Sequence, residues 1–99
     1  MRTIWKFPLE ITDVQRISMP VDADVISVVN QNNQIVLYAI VDDTAPRENR
    51  EVRIFGTGNE FTLPESWKIT QEYKFIGTVT TSMDDLPFGD FVWHVFVKG

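Results

Sequence analysis

Cysteine is absent from this sequence, and so is any long hydrophobic segment. Without cysteine there is neither a disulfide framework nor a thiolate zinc site, so the hydrophobic core has to supply the stability that small secreted domains take from disulfides. The longest apolar run, Ile35 to Val41, is far shorter than the ~20 residues of a membrane-spanning helix. The N-terminus shows no signal-peptide pattern. These absences predict a cytoplasmic protein that does not enter a membrane.

What is present fits one globular domain. The 99 residues are 43% hydrophobic and 23% charged, which is far from the composition of disordered chains. A chain of this length builds one core, so we expect a single domain over residues 1–99. The net charge of −5 repels a phosphate backbone at long range and argues against DNA or RNA polymers as partners. A few arginines can still hold a compact anion.

Alternating and β-branched apolar residues predict seven strands. They are expected at residues 2–9, 13–19, 24–30, 34–42, 51–57, 72–80 and 90–98. Asn32 and Asn33 separate the third strand from the fourth and tolerate the positive φ of a tight hairpin. Both strands of this hairpin are apolar on both faces, which predicts central strands buried on two sides. We therefore expect an all-β fold, a compact sandwich or partly open barrel of about seven antiparallel strands, with at most one short helical turn within residues 59–70.

The edges of such a sheet can pair with another chain unless charges or prolines block them. The first strand has only Pro8 and a few charges for that purpose. Three tryptophans in a chain of 99 residues also favour contact surfaces. We expect a homo-oligomer.

His94 is the only histidine, and a catalytic histidine needs a nucleophile that no cysteine or serine elbow supplies here. A hydrogen-bonded structural role for His94 is therefore favoured. One histidine without cysteine cannot build an ordinary transition-metal site, and Asp84 and Asp85 lack the spacing of a calcium loop. We expect no catalytic residues, no metal and no cofactor, so that the protein binds a ligand instead of transforming one.

The segment Gly56-Thr57-Gly58 combines two glycines with a hydroxyl, and Arg53 lies four residues earlier on the same strand. Exposed backbone N–H groups beside an arginine can hold an anion, although a plain turn is the favoured explanation of the glycines.

Two segments of the sequence are similar: Arg-Ile-Phe-Gly-Thr at 53–57 and Lys-Phe-Ile-Gly-Thr at 74–78. Five residues are too few to define a repeat.

Arg47, Arg50 and Arg53 form the densest cationic cluster of this acidic chain. Glutamates alternate with them, so ion pairs on a solvated loop over residues 43–49 explain the run. Anion binding is the alternative, because the planar guanidinium suits phosphate oxygens and an aromatic ring such as Tyr38 or Trp93 can stack on a base. The sequence leaves both possibilities open.

Several short motifs along almost the whole chain resemble a widespread family of small phage and bacterial proteins known only as a domain of unknown function. The matching residues are Trp5-Lys6, Leu9, Gln15, Met19-Pro20, Ala23, Ile26-Ser27-Val28, Gln31, Leu37-Tyr38-Ala39, Val41-Asp42, Gly56-Thr57-Gly58, Phe75-Ile76-Gly77-Thr78 and Val92-Trp93-His94-Val95-Phe96. The chain departs from the family pattern at Asn59, where histidine is common, and at Tyr38, where tryptophan is common.

The resemblance implies a phage origin, a location in the host cytoplasm and an accessory or anti-defence role. Such proteins are similar to the sponges that sequester cyclic nucleotide signals of CBASS- or Thoeris-type immunity. For that role we expect a pocket for a small anionic ligand, formed by Arg53, Thr57, Gly58, Asn59, Trp93 and His94. The first alternative is a module that docks on a host or phage protein through an exposed edge strand. The second alternative is a small hydrolase or isomerase.

Overall fold

Seven antiparallel strands form two sheets that pack face to face. The computed structural model describes residues 1–58, 69, 71–82 and 90–99, with the backbone alone at position 90. The strands are β1 (Arg2–Pro8), β2 (Val14–Pro20), β3 (Asp24–Gln31), β4 (Gln34–Asp42), β5 (Arg47–Gly56), β6 (Tyr73–Ser82) and β7 (Asp90–Lys98). The order is β1-β4-β3 in one sheet and β2-β5-β7-β6 in the other. The predicted all-β sandwich is confirmed, whereas the helical turn expected within residues 59–70 lies almost entirely outside the described residues.

The core lies between the sheets and follows the two-residue period of the strands. Leu37 and Ala39 of β4 point inward from the three-stranded sheet, and Val52 of β5 and Val95 of β7 point inward from the other, all fully buried. Because β4 and β5 each lie inside their sheets, their inward side chains meet apolar neighbours on every side. These positions hold the two sheets together.

The hairpin between β3 and β4 is confirmed in its details. Gln31 pairs with Gln34, which leaves Asn32 and Asn33 as the two turn residues, with φ values of 52° and 63°. Two successive residues with positive φ define the turn that matches the twist of a β-hairpin, and asparagine adopts this conformation more readily than most residues.

The prediction that β3 is a central strand is wrong, because β3 lies at the edge of the three-stranded sheet. In this sheet only β4 lies between two neighbours. On β3, Ile26 at a β-bulge is 45% exposed and Val29 is 37% exposed. Apolar residues on both faces of a strand indicate that both faces can be buried. The pattern does not indicate whether the same chain or another chain covers them.

Two asparagine side chains join the edge strand β3 and its turn to β6, the edge strand of the other sheet. Asn30 donates from Nδ2 to the carbonyl of Thr80 at 2.6 Å. Asn33 donates from Nδ2 to the carbonyl of Ser82 at 2.6 Å and accepts from the amide of Ser82 at 2.8 Å. The amide of Asn33 thus bonds Ser82 as a neighbouring strand residue does. The two sheets are closed along this edge.

The close approach of β3 and β6 also depends on a glycine. A Cβ atom added at Gly77 lies only 2.9 Å from Cγ1 of Val28, which is shorter than a van der Waals contact. The register of β6 shifts beside this position, between Phe75 and Gly77. Glycine here lets the sheets approach at the closed edge.

The solvated loop expected over residues 43–49 ends earlier than predicted, because β5 begins at Arg47. Residues 47–49 have low β propensity, yet they pair with β2 from Pro20↔Arg47 to Ser18↔Asn49. Pairing with an adjacent strand overrides the local preference. All three arginines of the cationic cluster therefore lie on one strand.

Candidate aromatic binding site

Three phenylalanines meet on the outward face of the four-stranded sheet, one from each of three adjacent strands. The ring of Phe96 on β7 lies 5.9 Å from that of Phe55 on β5 and 5.2 Å from that of Phe75 on β6. These centroid distances are those of attractive aromatic pairs. Phe55 is only 8% exposed although it faces away from the core, whereas Phe75 is 52% exposed.

An open cavity of about 290 Å³ lies beside these rings. We refer to it as the aromatic cavity. Its lining residues are Phe55, Gly56, Thr57, Gly58, Phe75, His94 and Phe96. The volume is close to the lower limit of about 300 Å³ for small-molecule sites, so it suits one planar ring system better than a larger ligand.

His94 lies at the wall of the aromatic cavity with both ring nitrogens hydrogen-bonded. Nε2 is 2.8 Å from Oγ1 of Thr57, and Nδ1 is 2.9 Å from Oγ1 of Thr78. In a neutral imidazole one nitrogen donates and the other accepts. In that form, one threonine hydroxyl accepts from the ring and keeps its own proton for another acceptor, while the other donates to the ring. The hydrogen bonding predicted for His94 is therefore confirmed, and its place in a ligand pocket stays a prediction.

The two Gly-Thr steps of the sequence lie on opposite sides of this histidine. Gly56-Thr57 ends β5 and leads out of it, and Gly77-Thr78 lies in β6, while β7 runs between them and carries His94. Thr78 is the direct neighbour of His94 in the strand register. Thr78 was missed as a site residue, and the similarity between residues 53–57 and 74–78 was the signal that could have found it.

Arg53 borders the same aromatic face. Its guanidinium carbon lies 5.4 Å from the centre of the Phe55 ring, within the range of a cation–π contact. Arg53 and Phe96 are paired across β5 and β7. Of the predicted pocket residues, the structure thus brings Arg53, Thr57, Gly58 and His94 to one side of the sheet, while Asn59 lies outside the described residues.

Trp93 does not lie with this group, so the structure does not bring it together with the other predicted pocket residues. Adjacent residues of a strand point to opposite faces, so Trp93 points inward when His94 points outward. Its indole Nε1 donates to Oγ1 of Thr81 at 2.8 Å, and its ring packs against the core. Tyr38, the other aromatic residue expected to stack on a base, lies in the three-stranded sheet. The rings beside the cavity are instead those of the three phenylalanines.

The arginine cluster divides among three separate environments. Arg47 donates from Nε and Nη2 to the hydroxyl and carbonyl of Ser18, at 3.0 and 2.8 Å, and lies 5.6 Å from the Trp5 ring. Arg50 donates to the carbonyl of Ala23 at 3.2 Å. Only Arg53 borders the aromatic cavity. The fold therefore places the three arginines in different surroundings and does not gather them around one cavity.

Another cavity, of about 310 Å³, opens at the end of the sandwich and is lined by Arg50, Lys74 and Lys98 together with acidic residues. Acidic partners offset two of these cations. Arg50 pairs with Glu48 at 3.3 Å and Lys74 with Asp24 at 3.7 Å. This cavity has no excess of unpaired positive charge to attract an anion.

Asp42, a residue whose pKa is shifted, does not line the aromatic cavity. The hydroxyl of Thr44, 2.6 Å from the carboxylate of Asp42, together with the Thr44 amide, lowers the pKa of Asp42 below its usual value. Across the described ranges, no cluster of three or more metal-ligating side chains occurs, and no helix is long and apolar enough to cross a membrane.

Neither the curated proteins nor the solved structures contain a match to this chain. A family model does match, and it spans residues 1–99. The strands that build the aromatic cavity, the closed edge and the three-stranded sheet therefore all lie within the matched region. The chain belongs to the domain-of-unknown-function family DUF7352.

Proposed function

We propose that this chain is a non-catalytic binding protein that holds a nucleotide by its base in the aromatic cavity, and that it acts as a phage anti-defence protein by sequestering a cyclic nucleotide immune signal in the host cytoplasm. The observation that carries the proposal is the convergence of Phe55, Phe75 and Phe96 beside His94 and Thr57. Aromatic rings stack on bases of any sequence, and a hydroxyl held by a histidine supplies an oriented polar contact.

Charge at the cavity supports an anionic ligand. The guanidinium of Arg53 lies over the Phe55 ring at the border of the cavity, where it can contact a phosphate while a base stacks on the exposed ring of Phe75. The net charge of −5 disfavours long polyanions but is screened over about 8 Å at physiological ionic strength. A small phosphorylated ligand can contact the Arg53 guanidinium without the long-range repulsion that a polyanion meets.

The geometry favours binding over catalysis. Both nitrogens of His94 are engaged by threonine hydroxyls, and no carboxylate contacts the ring among the described residues. A histidine in this setting orients polar contacts, because a general base needs a reactive group whose proton it can take. Sequestration requires affinity alone.

The test is a titration of the purified protein with cyclic dinucleotides, cyclic trinucleotides and cyclic ADP-ribose, measured by calorimetry and by the thermal midpoint of unfolding. Loss of one base–aromatic stack costs about 1–3 kcal/mol, so Phe75→Ala is expected to weaken binding by about 5- to 150-fold. Phe91→Ala is the control for the loss of a phenylalanine ring, because Phe91 is 42% exposed, stacks on Trp93 instead of the cavity rings and does not line the cavity.

Two results would reject the proposal. One is a wild-type protein that binds no member of the panel. The other is a Phe75→Ala protein that binds as tightly as the wild type, since a ligand bound elsewhere leaves the aromatic cavity without a role.

A second candidate function is docking on a host or phage protein through an exposed edge strand. The observation that favours it is the position of β1 at the edge of the three-stranded sheet, where one row of backbone groups is available for strand addition. A partner that pairs with this strand should slow amide hydrogen exchange across residues 2–8. Unchanged exchange in a stoichiometric complex would exclude this mode.

A further inference from the structure

The outward face of the three-stranded sheet is unusually apolar for a surface exposed to water. The strand register places Ile4 of β1 beside Ile40 of β4, and Val29 of β3 beside Val36 of β4. Ile4 is 56% exposed and Val29 is 37% exposed, whereas Val36 is only 2% exposed. Tyr38 and Ile40 are half-buried along the middle of the face. Antiparallel sheets with one face in water normally alternate apolar and polar residues, and β4 does not.

Charges of opposite sign border this face on its two sides. Arg2 and Lys6 project from β1, where Arg2 lies beside Asp42 of β4. Asp24 lies at the start of β3, with its carboxylate 3.7 Å from Nζ of Lys74 in the other sheet. Ile4 and Asp24 both pair with Ile40, so they lie in one row across the sheet. Arg2 and Lys6 are each two residues from Ile4, which corresponds to about 6.6 Å along the strand.

We propose that a second copy of this chain covers this face, with the two three-stranded sheets packed against each other about a two-fold axis parallel to β4. In that arrangement β1 of one copy lies over β3 of the other, since a two-fold axis along the central strand exchanges the two edges. The apolar row of β4 then packs on itself, as the inner faces of a sandwich do. Asp24 of each copy lies between Arg2 and Lys6 of the other.

A second copy explains the pattern better than an unrelated partner. The face is self-complementary, because its cationic side and its acidic side are exchanged by the same operation that brings the apolar rows together. Both copies then gain the same ion pairs. An arrangement with β1 over β1 would instead oppose Arg2 and Lys6 to the same residues of the second copy, and like charges in register repel.

The size of the face sets the expected strength of the dimer. Three strands of about seven residues give a face of about 14 Å by 23 Å from the usual strand spacing and rise. That is smaller than the surface of about 800 Å² per partner in a standard interface. We therefore expect a reversible dimer with a dissociation constant in the micromolar range, not a permanent one.

Sedimentation velocity from about 1 to about 300 µM, centred on the micromolar affinity expected for a small interface, tests this dimer on the full chain. We expect the wild type to shift from monomer to dimer, and Ile4→Asp to weaken association at least tenfold because it buries a charge. Ile11→Asp is the matched control, since Ile11 is 52% exposed but lies in the connection between β1 and β2. Far-ultraviolet circular dichroism of each variant checks that it folds.

A charge exchange tests the orientation separately. Lys6→Glu should weaken the dimer, and adding Asp24→Lys to it should restore most of the affinity, because the pair between copies is re-formed with reversed signs. Among the described residues of one chain, Asp24 pairs only with Lys74, at 3.7 Å and largely exposed, so we expect its replacement to leave the fold intact.

A wild type that stays monomeric at the highest concentration overturns the proposal. So does a dimer that Ile4→Asp leaves unchanged, because that result assigns the contact to a strand edge or to the other sheet. The aromatic cavity lies in the four-stranded sheet, so the dimer and the ligand proposal stand or fall independently. Nucleotide binding by the Ile4→Asp protein measures that independence.

Discussion

Thr78 lies 2.9 Å from Nδ1 of His94, on the side of the ring opposite to Thr57. The hydroxyl of Thr78 therefore helps to decide which ring nitrogen carries the proton, and through it whether Thr57 can donate a hydrogen bond to a ligand in the aromatic cavity. Thr78 acts on the cavity through His94 without lining it.

Replacement of Thr78 by valine should change the state of the His94 ring. The substitution keeps the branched shape of the side chain but removes the hydrogen-bond partner of Nδ1. Because the sequence contains one histidine, ring nitrogen shifts in a long-range nitrogen–proton NMR spectrum belong to His94 without further assignment. We expect the Nδ1 resonance to move and the free energy of unfolding to fall by about 1 kcal/mol, the value of one neutral hydrogen bond.

Thr80→Val is the matched control for this change. Thr80 lies two residues further along β6 and faces the same side, and its hydroxyl has no hydrogen bond to the residues that the structure describes. Ring shifts that stay constant in Thr78→Val, or that move equally in Thr80→Val, would contradict the role of Thr78.

Replacement of Gly77 by alanine should destabilise the domain. The new methyl group lies 2.9 Å from Cγ1 of Val28, and overpacking of this kind costs about 1–3 kcal/mol. Urea unfolding measures the loss. Val28→Ala removes the clashing methyl, so the Gly77→Ala/Val28→Ala protein should be more stable than the sum of the two single changes. Additive effects in this double-mutant cycle would show that Val28 is not the cause.

Replacement of Asn33 by glycine should open the closed edge without disturbing the hairpin turn. Glycine keeps the positive φ of 63° but loses both hydrogen bonds to Ser82. We expect a loss of about 1–3 kcal/mol, because each neutral hydrogen bond contributes about 1 kcal/mol, together with faster hydrogen exchange of the Ser82 amide.

Asn32→Gly separates the turn from the side-chain bonds. Asn32 has a similar positive φ of 52°, and its side chain makes no hydrogen bond within the described part of the chain. Its replacement should leave stability almost unchanged. An equal loss in both variants would place the effect in the turn itself.

The stability of the domain should depend on Asp42 in acid. Since the hydroxyl and amide of Thr44 lower the pKa of Asp42 from its ordinary value of 3.8, the contribution is complete above pH 3.8 and is lost as the pH falls through the lower, folded-state pKa. Thr44→Val should raise the pKa of Asp42 toward 3.8, as measured by carbon NMR of the carboxyl group. Thr44→Ser keeps the hydroxyl and should retain most of the shift.

Much of the fold follows from the sequence because strand periods and turn residues are local signals. The positions of the strands and the Asn32-Asn33 hairpin are examples. What the sequence did not reveal is which strands become neighbours. β3 looked central because apolar residues occupy both of its faces, and Arg47 looked like part of a loop because its pairing partner, Pro20, is distant in sequence.

In the candidate site, too, some residues could be identified from the sequence and others only from the order of the strands. The Gly-Thr step at 56–57 and His94 could be singled out from their residue types, and alternation alone was enough to place Trp93 on the face opposite to His94. Phe75 could not be assigned to this site from the sequence, because only the order β5-β7-β6 brings it beside β7.

The bond between Asn33 and Ser82 has a consequence for how copies of this protein can accumulate. An unpaired strand edge can add one strand after another from further copies, and this is how fibrils grow. At Thr80 and Ser82 the places for a newcomer are already taken by the amides of Asn30 and Asn33. Growth by successive strand addition is therefore blocked at this end of β6.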